Sequence, residues 1–308
     1  MPAMHSLRFV LAAVAAALTL AAPSRAAAAL RVVTTTEGLA ALAREVAGDR
    51  AQVESLSRGV QDPHFVDANP ILAVKLRAAD LLVDVGLDLE VGWLPPLVNQ
   101  SRNPAIQPGG PRRLTAGGVV GLLDLPTGAV DRSRGDLHPA GNPHFLTDPR
   151  RALQVAQALS LKLAELDPAG AAAYADRTAA FTRRLQADLA RWQAELKPLA
   201  GRKVFTHHRT LGYFFDWTGL VSAGELEPRP GTPPPPAHLA ELVTLARRDG
   251  VKAIVTENYY DTRSDDLVAR LSGARLVAIP GDVGGDPEAR TYQAYVELLV
   301  RRVAEGLR

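Results

Sequence analysis

Three histidines stand in similar company along this chain. His64 lies in QDPHFVDANP, His144 in GNPHFLTDP, and His208 closes KVFTHH and opens RTLGYFFDW. A fourth residue, Asp282, follows the run RLVAI in PGDVGGD. Neutral imidazole suits zinc, and one carboxylate completes a tetrahedral set. Taken singly, a histidine after a strand is more often a capping or packing residue, and the neighbouring prolines and glycines read simply as turn formers. The recurrence of one setting (strand end, tight turn, helix start) is what points to a metal site. Each residue alone leaves the plainer reading open.

The elements that must position these residues alternate between strand and helix. LRVVT (Leu30 to Thr34), Gln52 to Leu56 and LLVDV (Leu81 to Val85) predict strands, and Glu37 to Val46 has helical spacing. A helix is predicted after Asn69-Pro70, with proline in its first turn. KVFT, AIVT and RLVAI predict three more strands in the second half, with helices over His238 to Asp249, Ser264 to Ser272 and Thr291 to Gly306. Such alternation predicts parallel sheets, whose ligands bind beyond the C-terminal strand ends. Residues 99–143 are rich in Gly, Pro and Arg and read as irregular loops, and PRPGTPPPPAH (228–238) reads as a rigid surface loop. Between the halves, Ala169 to Leu196 has no proline. Tyr174, Phe181, Leu185, Leu189 and Trp192 recur there at helical intervals, which predicts one long amphipathic helix. The fold class expected is therefore α/β. It comprises two lobes, each a parallel-type sheet flanked by helices, joined by one long rigid helix. The boundaries are 29–168, 169–198 and 199–308.

Residues 1–28 are expected to be a signal peptide. Arg8 precedes an apolar run from Phe9 to Ala22, and small residues offer cleavage after Ala26 or Ala28. The run is too short to span a bilayer as a helix. The 308-residue chain has 35 Lys+Arg against 33 Asp+Glu, and Arg8 and Arg25 both leave with the leader. The remaining charge is balanced, which excludes a phosphate backbone, and so nucleic acid, as partner. Cysteine is absent, which excludes disulfides, thiolate metal sites and a lipid-modified cysteine. The expected product is exported, soluble, periplasmic and free of lipid.

Together these segments resemble the zinc/manganese-binding family of ABC-importer periplasmic solute-binding proteins. QDPHFVDANP is similar to that family's first histidine motif, GNPHFLTDPRRA to its N-P-H-aromatic segment, and THHRTLGYFFDW to its H-x-x-x-G-Y-F motif. The last spacing selects His208 over His207. The resemblance covers nearly all of the chain after the leader. It implies a high-affinity zinc-binding protein that captures the ion between two lobes and delivers it to an ABC permease, with a metallochaperone as a further partner. The implied ligands are His64, His144, His208 and Asp282, with Asp286 competing for the last place. His138, in GDLHPAGNPH, is a candidate auxiliary ligand, and Glu257 in TENYYD a candidate supporting acid. Two departures matter. A histidine stands at the third site, where manganese-binding members tend to carry a carboxylate, and IPGDVGGD replaces the commoner D-P-L-G. The alternatives are a manganese-binding member and a secreted zinc-dependent hydrolase. The hydrolase is disfavoured, because no H-E-x-x-H, G-x-S-x-G or P-loop motif occurs.

Overall fold

Short β-branched runs build two sheets in the computed structural model, which describes residues 29–125, 138–227 and 231–308. The leader expected over 1–28 and part of the proline-rich stretch lie outside those residues. The first sheet contains β1 (Leu30–Thr34), β2 (Ala51–Ser55), β3 (Leu81–Asp84) and β4 (Arg113–Thr115), in the order β2-β1-β3-β4. The second contains β5 (Lys203–Thr206), β6 (Val221–Glu225), β7 (Ala253–Glu257) and β8 (Arg275–Ile279), in the order β6-β5-β7-β8. Every pairing is parallel. The two sheets thus share one strand order, although the two halves of the sequence show no repeat. β3 and β7 are buried along their whole length, as inner strands covered on both faces must be.

Nine α-helices lie among the described residues. Those of the first half are α1 (Glu37–Ala47), α2 (Pro70–Arg77), α3 (Leu94–Ser101) and α4 (Pro149–Leu166). The second half has α6 (Gly212–Thr218), α7 (Pro236–Asp249), α8 (Arg263–Ser272) and α9 (Tyr292–Leu307). The starts follow local chemistry. Asn69 accepts from the Ile71 N–H, Asp148 from Arg150 and Thr291 from Ala294, and proline occupies the first turn of α2 and α4.

Between the sheets runs α5 (Ala171–Leu196), 26 residues without a break. Tyr174, Phe181, Leu185, Trp192 and Leu196 are wholly buried. Leu189 of the predicted stripe is partly buried against the same core. Trp192 Nε1 donates to Glu297 in α9, and Phe181 meets Tyr292 edge to face. The helix therefore packs on α1 and α4 of the first half and on α9 of the second. The two lobes also approach each other at Gly59, where an added Cβ would stand 2.1 Å from the Val283 carbonyl. No helix among the described residues is long and apolar enough to cross a membrane.

Candidate metal centre

Four imidazoles converge where the two lobes meet. His64, His138, His144 and His208 each offer one ring nitrogen, and these atoms all lie within 4.8 Å of one another. Ring centroids are 5.2 Å apart for His64–His144, 5.3 Å for His64–His208 and 5.4 Å for His144–His208.

Each ring is aimed by its own neighbours. His64 lies in the segment after β2, in the turn Asp62-Pro63-His64. Asp62 Oδ1 accepts both the His64 backbone N–H (2.9 Å) and its ring Nδ1 (2.7 Å). His138 Nδ1 lies 3.0 Å from the Leu87 carbonyl. A carbonyl only accepts, so that nitrogen carries the proton. His144 is placed by Asn142, whose Oδ1 accepts the His144 N–H. The Asn142 side chain also donates to the Arg209 carbonyl, and the Tyr213 hydroxyl donates to the Asn142 carbonyl. The loops of His144 and His208 are thereby tied together across the lobes. His208 leaves the end of β5, and its Nδ1 lies 3.4 Å from Glu227 Oε2.

These contacts assign a proton to the Nδ1 of His64 and of His138. With Nδ1 protonated against Asp62 and Leu87, the Nε2 atoms of the neutral His64 and His138 rings are both lone pairs, and they face each other at 3.3 Å. Two such lone pairs repel at that distance, and a shared proton or a metal ion removes the repulsion. Four nitrogens at about 2.0–2.1 Å around a tetrahedral zinc stand about 3.3 Å apart. His144 Nε2 makes the same point, being buried with no hydrogen-bond partner.

The electrostatics favour neutral ligands. Burial, reinforced by the other three imidazoles, holds His144 well below the usual histidine range. Burial also lowers His208, against the pull of Glu227. Glu227 pays a desolvation penalty but is drawn down to about 2 by His207 and His208. Asp62 is held low by His64 despite its burial. The two carboxylates place negative charge beside the imidazoles without joining their converging group.

The structure brings a different fourth side chain to the three expected histidines. Asp282 is not in the group, and His138, expected only as an auxiliary, is. The reason is that the Asp282 carboxylate is engaged elsewhere. Oδ2 accepts the Gly38 N–H at the start of α1 (2.9 Å), and Oδ1 accepts the Val283 N–H (2.8 Å). Burial pushes this carboxyl up to about 6. Asp286, the competing acid, faces Arg302 and accepts the Glu288 N–H. Glu257 is buried outside the group, accepting from the Thr210 hydroxyl, with its other oxygen unpaired. His207, which the motif spacing passed over, packs flat on Tyr260 with Nδ1 on Asp265. Asp67, three residues after His64, is exposed, and Asp148 caps α4. The acids that do meet ligand rings are Asp62 and Glu227. Asp62 was legible in D-P-H as a residue two places before its histidine, whereas nothing in the sequence joins Glu227 to His208.

Known proteins bear on this geometry. A family model described as zinc-uptake complex component A, periplasmic, matches residues 32–306. The chain is 27% identical over 315 residues to the high-affinity zinc uptake system protein ZnuA of Paracoccus denitrificans, covering 95% of this chain and 96% of that one. It is 25% identical over 286 residues to the manganese ABC transporter substrate-binding lipoprotein PsaA of Streptococcus pneumoniae, covering 90% and 89%. A crystal structure of ZnuA shares the fold, with TM-score 0.75, 22% identity, and coverage of 90% and 98%. PsaA is named a lipoprotein, which stands against the expectation of a lipid-free product, although this chain contains no cysteine. The chain belongs to the zinc-uptake complex component A family, whose members are periplasmic metal-binding proteins of ABC importers and not enzymes.

Proposed function

We propose that this protein binds zinc between its lobes and delivers it to an ABC permease. The ligands are His64, His138, His144 and His208. The observation that carries this reading is the pair of facing Nε2 lone pairs on His64 and His138, beside the buried, unpartnered Nε2 of His144. Four imidazoles suit zinc's tetrahedral preference, while manganese favours oxygen ligands. A site closed by four protein ligands leaves no open position for water, consistent with carriage of the ion and not with its use in hydrolysis. The lobes are residues 29–168 and 199–308, and the exported form follows removal of 1–28.

The test is titration of the metal-stripped protein against a competing chelator, once with zinc and once with manganese. One zinc per chain, held far more tightly than manganese, is the expected result. Equal or tighter manganese binding removes the zinc assignment, and failure to bind either ion removes the metal site.

A further inference from the structure

The loop after β3 touches two of the four ligand segments. The Leu87 carbonyl meets His138 Nδ1, and Trp93 Nε1 donates to the Pro63 carbonyl, next to His64, at 2.9 Å. This loop contains three successive left-handed residues, Gly86 (φ 76°), Leu87 (φ 55°) and Asp88 (φ 65°). Glycine adopts that conformation freely, but a residue with a Cβ does so at a cost, and two in succession need support from their surroundings.

Glu90 supplies it. Its side chain folds back on the turn and is only 3% exposed. Oε1 accepts the Val85 N–H at 2.7 Å and the Thr35 hydroxyl at 2.6 Å, and Oε2 accepts the Gly86 N–H at 3.0 Å. Thr35 directly follows β1, so one carboxylate joins the turn to the neighbouring strand. Glu90 is not among the converging metal-ligating groups. A carboxyl group offers two acceptor oxygens here, whereas a glutamine has one and would set its amide N–H against a backbone N–H.

We propose that Glu90 is a positioning residue for the metal centre: by clamping the Gly86–Asp88 turn it aims the Leu87 carbonyl at His138 and thereby presents His138 Nε2 to the ion. This rests on the reading of His138 as a ligand. Partners that orient a ligand are generally worth about 10- to 100-fold in metal affinity.

The experiment compares the full exported protein with Glu90→Gln, His138→Ala and the double variant. It uses zinc titration against a competing chelator and the visible spectrum of the cobalt-substituted protein. Glu90→Gln is expected to bind zinc about 10- to 100-fold more weakly and to alter the cobalt bands. In the His138→Ala background the same change is expected to cost nothing further. Unchanged affinity in Glu90→Gln overturns the proposal, as does an equal loss in both backgrounds, because the carboxylate would then act elsewhere. If His138→Ala itself binds zinc like the parent, the ligand reading fails instead, and the two failures are told apart by which single variant is silent. Should Glu90→Gln not fold, Thr35→Val removes one donor to Glu90 at constant shape. A smaller loss confined to the His138 background supports the clamp, and no loss overturns it.

Discussion

His64 Nε2 and His138 Nε2 face each other at 3.3 Å, each on a ring whose other nitrogen is already committed to an acceptor. This pair comes from segments far apart in the chain and places His138, where the sequence ranked Asp282, beside the other histidines. His138→Ala is predicted to weaken zinc binding strongly, as are His64→Ala, His144→Ala and His208→Ala, since each removes a metal–nitrogen bond. Asp282→Ala is predicted to change affinity less than any of the four. Chelator competition on the five variants decides it, and a larger loss for Asp282→Ala than for His138→Ala reinstates the carboxylate.

Asp282 has a different task on this geometry, because it holds the Gly38 N–H at the start of α1 across the lobe boundary. Removing the carboxylate orphans that N–H, and hydrogen bonds to charged groups are worth about 1.5–3 kcal/mol. Asp282→Ala is therefore predicted to lower the stability of the metal-free protein by about that amount. Denaturant unfolding measures it, and a variant as stable as the parent removes this role.

The pH dependence follows from the buried rings. His144 and His208 lie below the ordinary histidine range in the folded protein. In the unfolded chain they return to about 6.5. The sign is then fixed: above that value both states are neutral and nothing is lost. As pH falls through it, the unfolded chain takes up protons that the fold resists, so the metal-free protein loses stability. Zinc affinity is predicted to fall at lower pH than it would for ordinary histidines, because protonated imidazole cannot ligate and the fold holds His144 and His208 neutral below that range. Unfolding and zinc titrations at several pH values check both, and an affinity already falling steeply just below pH ~7 contradicts the lowered rings.

The unbroken helix α5 constrains motion. Trp192 and Phe181 anchor it in the core, and truncating such a residue to alanine costs about 3–5 kcal/mol. Zinc uptake is predicted to rearrange the loops bearing His138, His144, His208 and Asp282, with little rotation of one lobe against the other. Structures with and without zinc test this, and a wide hinge opening contradicts it.

Much of the fold was legible in the sequence because parallel strands and amphipathic helices leave local patterns. LRVVT, KVFT and RLVAI are strands over the predicted residues, and the apolar stripe from Tyr174 to Trp192 is one helix. The elements missed are those with weak local signals. β4 has three residues inside a Gly/Pro-rich stretch, β6 (VSAGE) lacks an apolar run, and α3 begins LPP. Pairing with β3 and β5, which supplies the missing backbone partners, makes strands of the first two.

The site divides in the same way. The types and settings of His64, His144 and His208 are local facts, since each stands in a short turn whose residues are adjacent in the chain, and the sequence alone determined them as candidates. Which fourth group joins them was decided only by tertiary structure. Asp282 and His138 are equally plausible as ligand types. The choice depends on the Gly38 N–H occupying one and the Leu87 carbonyl aiming the other, from positions 244 and 51 residues away. Hydrogen-bond partners at such separations leave no periodicity or motif to read, because they exist only once the chain has brought them together.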